Sequence, residues 1–169
     1  MAEFAAALLV AAAFVIGGRM LASAASERVE FIKEILLMLN IFETRLRYAG
    51  APVSELLHLA SEGGCSRLLF LEKCGILLAE GEIFKDAWEK CIREHTAFCR
   101  LLPEESEKLI GMGSDIGRTD VEGQLSCCGY YKEIFGACLL EKEEIFRRSA
   151  ALYPKLGIMF GVSAALFLA

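Results

Sequence analysis

The side chains of this chain best suited to chemistry are thiols and carboxylates. Cys91, His95 and Cys99 recur at steps of four residues, which places them on one face of a helix. A thiol beside an imidazole is the start of a cysteine nucleophile, and the three groups are also possible zinc ligands in kind. Neither constellation is complete, because no acidic third member orients the imidazole and no further ligand stands nearby. The carboxylate clusters Glu104, Glu105 and Glu107, and Glu141, Glu143 and Glu144, offer paired acids, but bases lie among them as on a solvated helix face. A thiol-dependent enzyme built on Cys91, His95 and Cys99 is therefore the weakest of the functional readings. No catalytic, cofactor or metal site is expected.

The other thiols support that view. Cys65, Cys74, Cys91, Cys99, Cys127, Cys128 and Cys138 are odd in number and include no C-x-x-C pair, which suits reduced, buried cysteines in a cytoplasmic setting. The net charge is -5, with lysines and arginines alternating with acids. That pattern excludes a phosphate-tracking basic surface and with it nucleic acid. Gly111, Gly113 and Gly117 are expected to punctuate a turn, and the absence of a Gly-Lys-Ser/Thr and of a preceding strand excludes a phosphate loop.

The elements that must position these residues are helical. Phe31, Ile35, Leu39, Phe42 and Leu46 make one apolar stripe over residues 27–48, with Glu30, Lys33, Glu34, Arg45 and Arg47 assigned to its solvated side. Tyr48 to Pro52 stops this helix and starts a second that runs to Ser61. A weaker helix is expected over 66–80, and a stronger one over 82–98 on Phe84, Trp88, Cys91, His95 and Phe98. Trp88 should anchor the core and find a partner for its indole N–H. Glu104 to Met112 is a short helix. Thr119 and Glu122 form a capping box that opens a long helix striped by Val121, Leu125, Cys128, Tyr131, Phe135, Cys138, Ile145 and Leu152, which Pro154 should kink.

Outside this charged middle the chain is apolar. Every lysine and arginine lies between Arg19 and Lys155, while residues 4–18 and 156–169 are hydrophobic. About 14 helical residues reach only ~21 Å of a ~30 Å hydrocarbon core, so each segment spans only if it is extended past a snorkelling Arg19 or Lys155. Arg19 and Arg28 on one side, and Arg147, Arg148 and Lys155 on the other, place the middle in the cytoplasm by the positive-inside rule. A cleaved signal peptide is the competing reading of the first segment, opposed by the missing basic n-region. The expected architecture is an all-α antiparallel helical bundle over 26–153, flanked by transmembrane segments at 1–25 and 154–169.

Gly113-Ser-Asp-Ile-Gly117-Arg-Thr119-Asp120, then Gln124, a long charged helix and Leu156-Gly157-Ile-Met-Phe-Gly161 resemble the stage III sporulation protein AB family of endospore-forming bacteria. The resemblance implies a membrane component of the channel joining mother cell and forespore. That component is similar to the inner-membrane platform proteins of type II secretion and type IV pilus systems. It implies a sporulation secretion-type ATPase and other membrane proteins of the channel as partners, residence in the mother-cell membrane around the forespore, and room for a homo-oligomer. Gly113, Gly117, Thr119, Asp120, Gln124, Leu156, Gly157 and Gly161 are the candidate interaction or structural positions, with Gly157 and Gly161 forming a G-x-x-x-G step. The alternative is a membrane-tethered regulatory bundle unrelated to secretion.

Overall fold

The computed structural model describes residues 2–96, 101–116 and 120–167, and over most of 2–25 and 149–167 it describes the backbone alone. Among these residues the chain is all-α: α1 (Ala2–Ala49), α2 (Val53–Glu62), α3 (Phe70–Ala79), α4 (Phe84–Thr96), α5 (Pro103–Ile116) and α6 (Val121–Phe167). It divides into two units. Glu30–Leu139 is one, and Met1–Val29 with Leu140–Ala169 is the other.

The unit Glu30–Leu139 is built on the periodicity of its helices. Phe31, Ile35, Leu39, Phe42 and Leu46 of α1 are all buried, because steps of three and four residues return to one face. They share a core with Leu56 and Leu57 of α2, Phe70 and Leu71 of α3, Trp88 and Ile92 of α4, Leu109 and Met112 of α5, and Cys128 and Phe135 of α6. Helices α2 and α3, α3 and α4, and α4 and α5 pack as neighbours. Gly50 (φ +56°) and Gly81 (φ +94°) end α1 and α3 in the left-handed region, where a side chain is strained. At α3 the Gly81 and Glu82 amides close the helix on the Leu78 and Leu77 carbonyls, the reversal that lets α4 fold back.

Three expectations are corrected here. Glu34 is not on a solvated face: it is 8% exposed, because it sits three residues after Phe31 and four before Met38, on the edge of the apolar stripe. Glu105 likewise is 3% exposed and does not belong to a wet acidic run. Val121 and Ile145 are exposed, so among the described side chains the α6 stripe is buried at Cys128, Tyr131 and Phe135, and Leu152 lies outside those described.

The other unit takes in the first part of α1 and the last part of α6, which is helical on both sides of Pro154. Among the described residues, no helix is long and apolar enough to cross a membrane. The side chains of the two apolar stretches lie outside that description except at a few positions such as Ile16 and Met159.

Candidate functional site

Gly113, the first of the motif residues, packs against a tryptophan. Trp88 is fully buried on α4, edge-on to Phe70 with ring centroids 5.2 Å apart and tilted against Phe84 at 5.5 Å. Its Nε1–H donates to the Leu109 carbonyl of α5 at 2.8 Å, so the large apolar ring is buried without an orphan donor. One helical turn along α5, Gly113 meets the ring face: a Cβ there would lie 2.0 Å from the indole Cδ1 and 2.4 Å from Cγ. Only a glycine lets the two helices approach this closely.

Gly113 thus stands inside α5 rather than in a turn, and the expected break at Gly111–Gly113 is corrected. A glycine in a sequence pattern marks either a bend or a close approach, and here the approach wins because α5 continues to Ile116. Gly111 serves the opposite neighbour. A Cβ on it would come 3.1 Å from the Tyr131 hydroxyl of α6, and that hydroxyl donates to Asp115 Oδ2 at 2.9 Å. Burial and the Asp115 carboxylate push the Tyr131 phenol well above its ordinary pKa, so it remains a donor. Helix α5 is therefore thinned on two sides, once for an indole and once for a phenol.

The next motif positions open α6. Asp120 Oδ1 accepts from the Gly123 amide at 2.9 Å, and the Asp120 carbonyl accepts from the Gln124 amide at 2.9 Å. Asp120 is the N-cap. The capping role expected of Thr119 falls, with Gly117, outside the described residues. Gln124 is half-buried in the first turn of α6. Leu156, Gly157 and Gly161 fall on the last part of α6 in the other unit, with Gly157 and Gly161 one turn apart and on one face by register. Gly113, Asp120 and Gln124 belong to the unit Glu30–Leu139, and the C-terminal trio belongs to the other unit.

A second joint is absent from the motif. The buried Glu34 carboxylate of α1 accepts from the Arg67 backbone N–H at 2.7 Å and from Arg67 Nη1 at 2.7 Å, while the Cys65 thiol donates to the Glu34 carbonyl at 3.6 Å. His95 Nε2 lies 3.1 Å from the Arg67 carbonyl, its ring stacked on Phe31 and tilted against Phe70. The link between α2 and α3 is held from both sides. Burial lowers the His95 pKa against the raising effect of the Arg67 carbonyl, so the ring is neutral at pH 7. Glu105 does the same for α5, accepting from the Leu102 amide at 2.9 Å and from the Cys138 thiol at 3.7 Å. The signal for Glu34 was its place at helical spacing between two buried apolar residues.

The thiols are packed rather than poised. Cys91 is 1% exposed, against Cys74 of α3, and burial pushes its pKa up. The Cys74 and Cys127 thiols rise to about 12 and those of Cys65 and Cys128 to about 11, again by burial. A nucleophile needs the opposite shift. Cys99, the third member of the thiol reading, lies outside the described residues, and His95 is directed at a backbone carbonyl. Among the described residues no three His, Cys, Asp or Glu side chains are grouped to hold a metal.

A sequence model described as Stage III sporulation protein AB matches residues 3–169. No curated protein matches, and no solved structure matches.

Proposed function

The chain belongs to the stage III sporulation protein AB family, and from that sporulation role we propose that it acts as a non-catalytic membrane platform of the channel between mother cell and forespore. In this reading residues 1–25 and 154–169 are transmembrane segments, and 26–153 is an antiparallel helical bundle in the cytoplasm. The bundle presents its surface to a secretion-type ATPase and to other membrane proteins of the channel. Short links between α2, α3 and α4 favour antiparallel neighbours, and the basic flanks Arg19, Arg28, Arg147, Arg148 and Lys155 favour the cytoplasmic side.

The observation that carries the proposal is a division of labour along the chain. The two stretches without a basic residue belong to α1 and α6, the same helices whose inner parts build the core of the unit Glu30–Leu139. Within that unit Glu34 and His95 hold the α2–α3 link, Glu105 holds the start of α5 and Tyr131 bonds Asp115. A body of that kind works through its surface. The test is co-purification of the full chain, in mild detergent, with the sporulation ATPase of the same bacterium. A complex that survives gel filtration is expected, and two separate peaks at micromolar concentrations of both would count against the contact.

A further inference from the structure

One side of the unit Glu30–Leu139 is left open. Between α1 and α2 runs a groove of about 520 Å³ with Leu37, Ile41 and Leu59 as its floor and Asn40, Arg45 and Glu62 on its rim. Gly63 thins the α2 wall, since a Cβ there would lie 2.7 Å from Ile41 Cδ1. Leu37 stays 38% exposed. Arg45 is the unusual member. In this unit Arg47, Arg67 and Arg93 each hold a carboxylate, whereas Arg45, exposed on α1, has no ion-pair partner among the described residues.

The chemistry that would fill this groove is an aliphatic ridge with a carboxylate one turn away, and the chain itself carries one. Leu69, 66% exposed, and Ile76, 54% exposed, stand two turns apart at the start and middle of α3. Glu72 and Glu80 lie on the same stripe, four residues either side of Ile76, exposed and without an ion-pair partner among the described residues. Lys73 between them is held by Glu94. The spacings agree. Arg45 is four residues beyond Ile41 in the groove, as each carboxylate is four residues from Ile76 on the ridge, both about 6 Å along a helix.

We propose that the chain self-associates head to tail, the α3 ridge of one copy seated in the α1–α2 groove of the next with Arg45 paired to Glu72 or Glu80. Ridge and groove are different surfaces, so the contact is heterologous and builds a ring or an open chain instead of a closed two-fold dimer. One helix in one groove is smaller than the ~1,600 Å² of a standard interface. A contact of that size makes the association weak in solution. The inference goes beyond the platform reading and does not rest on it.

The test is sedimentation velocity of the full chain in mild detergent over a concentration series. The wild type is expected to associate, and Arg45→Glu to weaken association about tenfold or more by setting like charges against each other. Adding Glu72→Arg or Glu80→Arg to Arg45→Glu is expected to restore it, and whichever does so reads the relative direction of the two helices. Glu133→Arg, an exposed reversal on α6 outside both surfaces, should leave association unchanged. All four positions are exposed, so none of these changes removes a core contact. A single-chain mass at every concentration would overturn the proposal, as would association indifferent to Arg45→Glu, failure of both reversals to restore it, or equal weakening by Glu133→Arg.

Discussion

The two joints of the unit Glu30–Leu139 hold helices together by opposite means. At Trp88 and Gly113 an indole lies on a bare stretch of α5, and its attachment is shape plus one hydrogen bond to the Leu109 carbonyl. At Glu34 and Arg67 a buried carboxylate grips a link through a backbone amide and a guanidinium, with a neutral His95 closing the other side. The first joint should respond to volume and hardly at all to pH. The second should respond to charge and protonation. Close approach admits one residue type, while a polar grip has several solutions.

The largest effect should come from the aromatic joint. Trp88→Ala is expected to cost about 3–5 kcal/mol, as for other large core truncations, read as a shift in the denaturation midpoint. Gly113→Ala should follow at about 1–3 kcal/mol or more through overpacking. In a Trp88→Leu background, where the indole no longer lies against α5, the cost of Gly113→Ala should fall to less than half. Equal cost in both backgrounds would mean that Gly113 answers to the helix and not to Trp88.

Glu34→Ala should cost about 1–2 kcal/mol, less than the fully buried case because the Arg67 side chain is half-exposed and partly screened. The acid limb of stability separates the joints further. The His95 pKa is lowered in the folded chain from its ordinary 6.5, so the unfolded state binds more protons below that pH. Stability is then highest above about 6.5 and falls as the pH drops toward the folded pKa. His95→Gln should flatten that slope, while Gly113→Ala should leave it unchanged. An unaltered slope in His95→Gln would remove His95 from the account. Smallest is Asp120→Ala, at about 1 kcal/mol for a lost N-cap, with Asp120→Asn close to neutral.

How far the sequence reached depended on the range of the cause. The stripe Phe31 to Leu46, the stop at Gly50 and the restart at Pro52 are local, and the helices α1 and α2 follow them closely. Trp88 was legible as an anchor with a partner for its N–H. Its acceptor, Leu109, was not, because it comes from another helix. Gly111 and Gly113 were misread as a turn for the same reason, since a glycine announces freedom locally and only a neighbouring ring shows what occupies the space. Asp120 was legible as part of the motif but not as a cap, because adjacent residues of capping type look alike in sequence. Of the candidate positions, Gly113 and Asp120 have a structural reason in packing and capping. The motif gave no sign of the Glu34 grip, which joins residues 33 apart in the chain.

The platform account stands most directly on the side of the membrane that residues 26–153 occupy. A full-length Ser54→Cys chain, carrying its new thiol on the exposed start of α2, can be treated in intact cells with a membrane-impermeant maleimide, and its membrane fraction then compared with that of permeabilised cells. The account expects the chain in the membrane fraction, unlabelled until the cells are opened. Labelling of intact cells, or recovery of the chain in the soluble fraction, would contradict it.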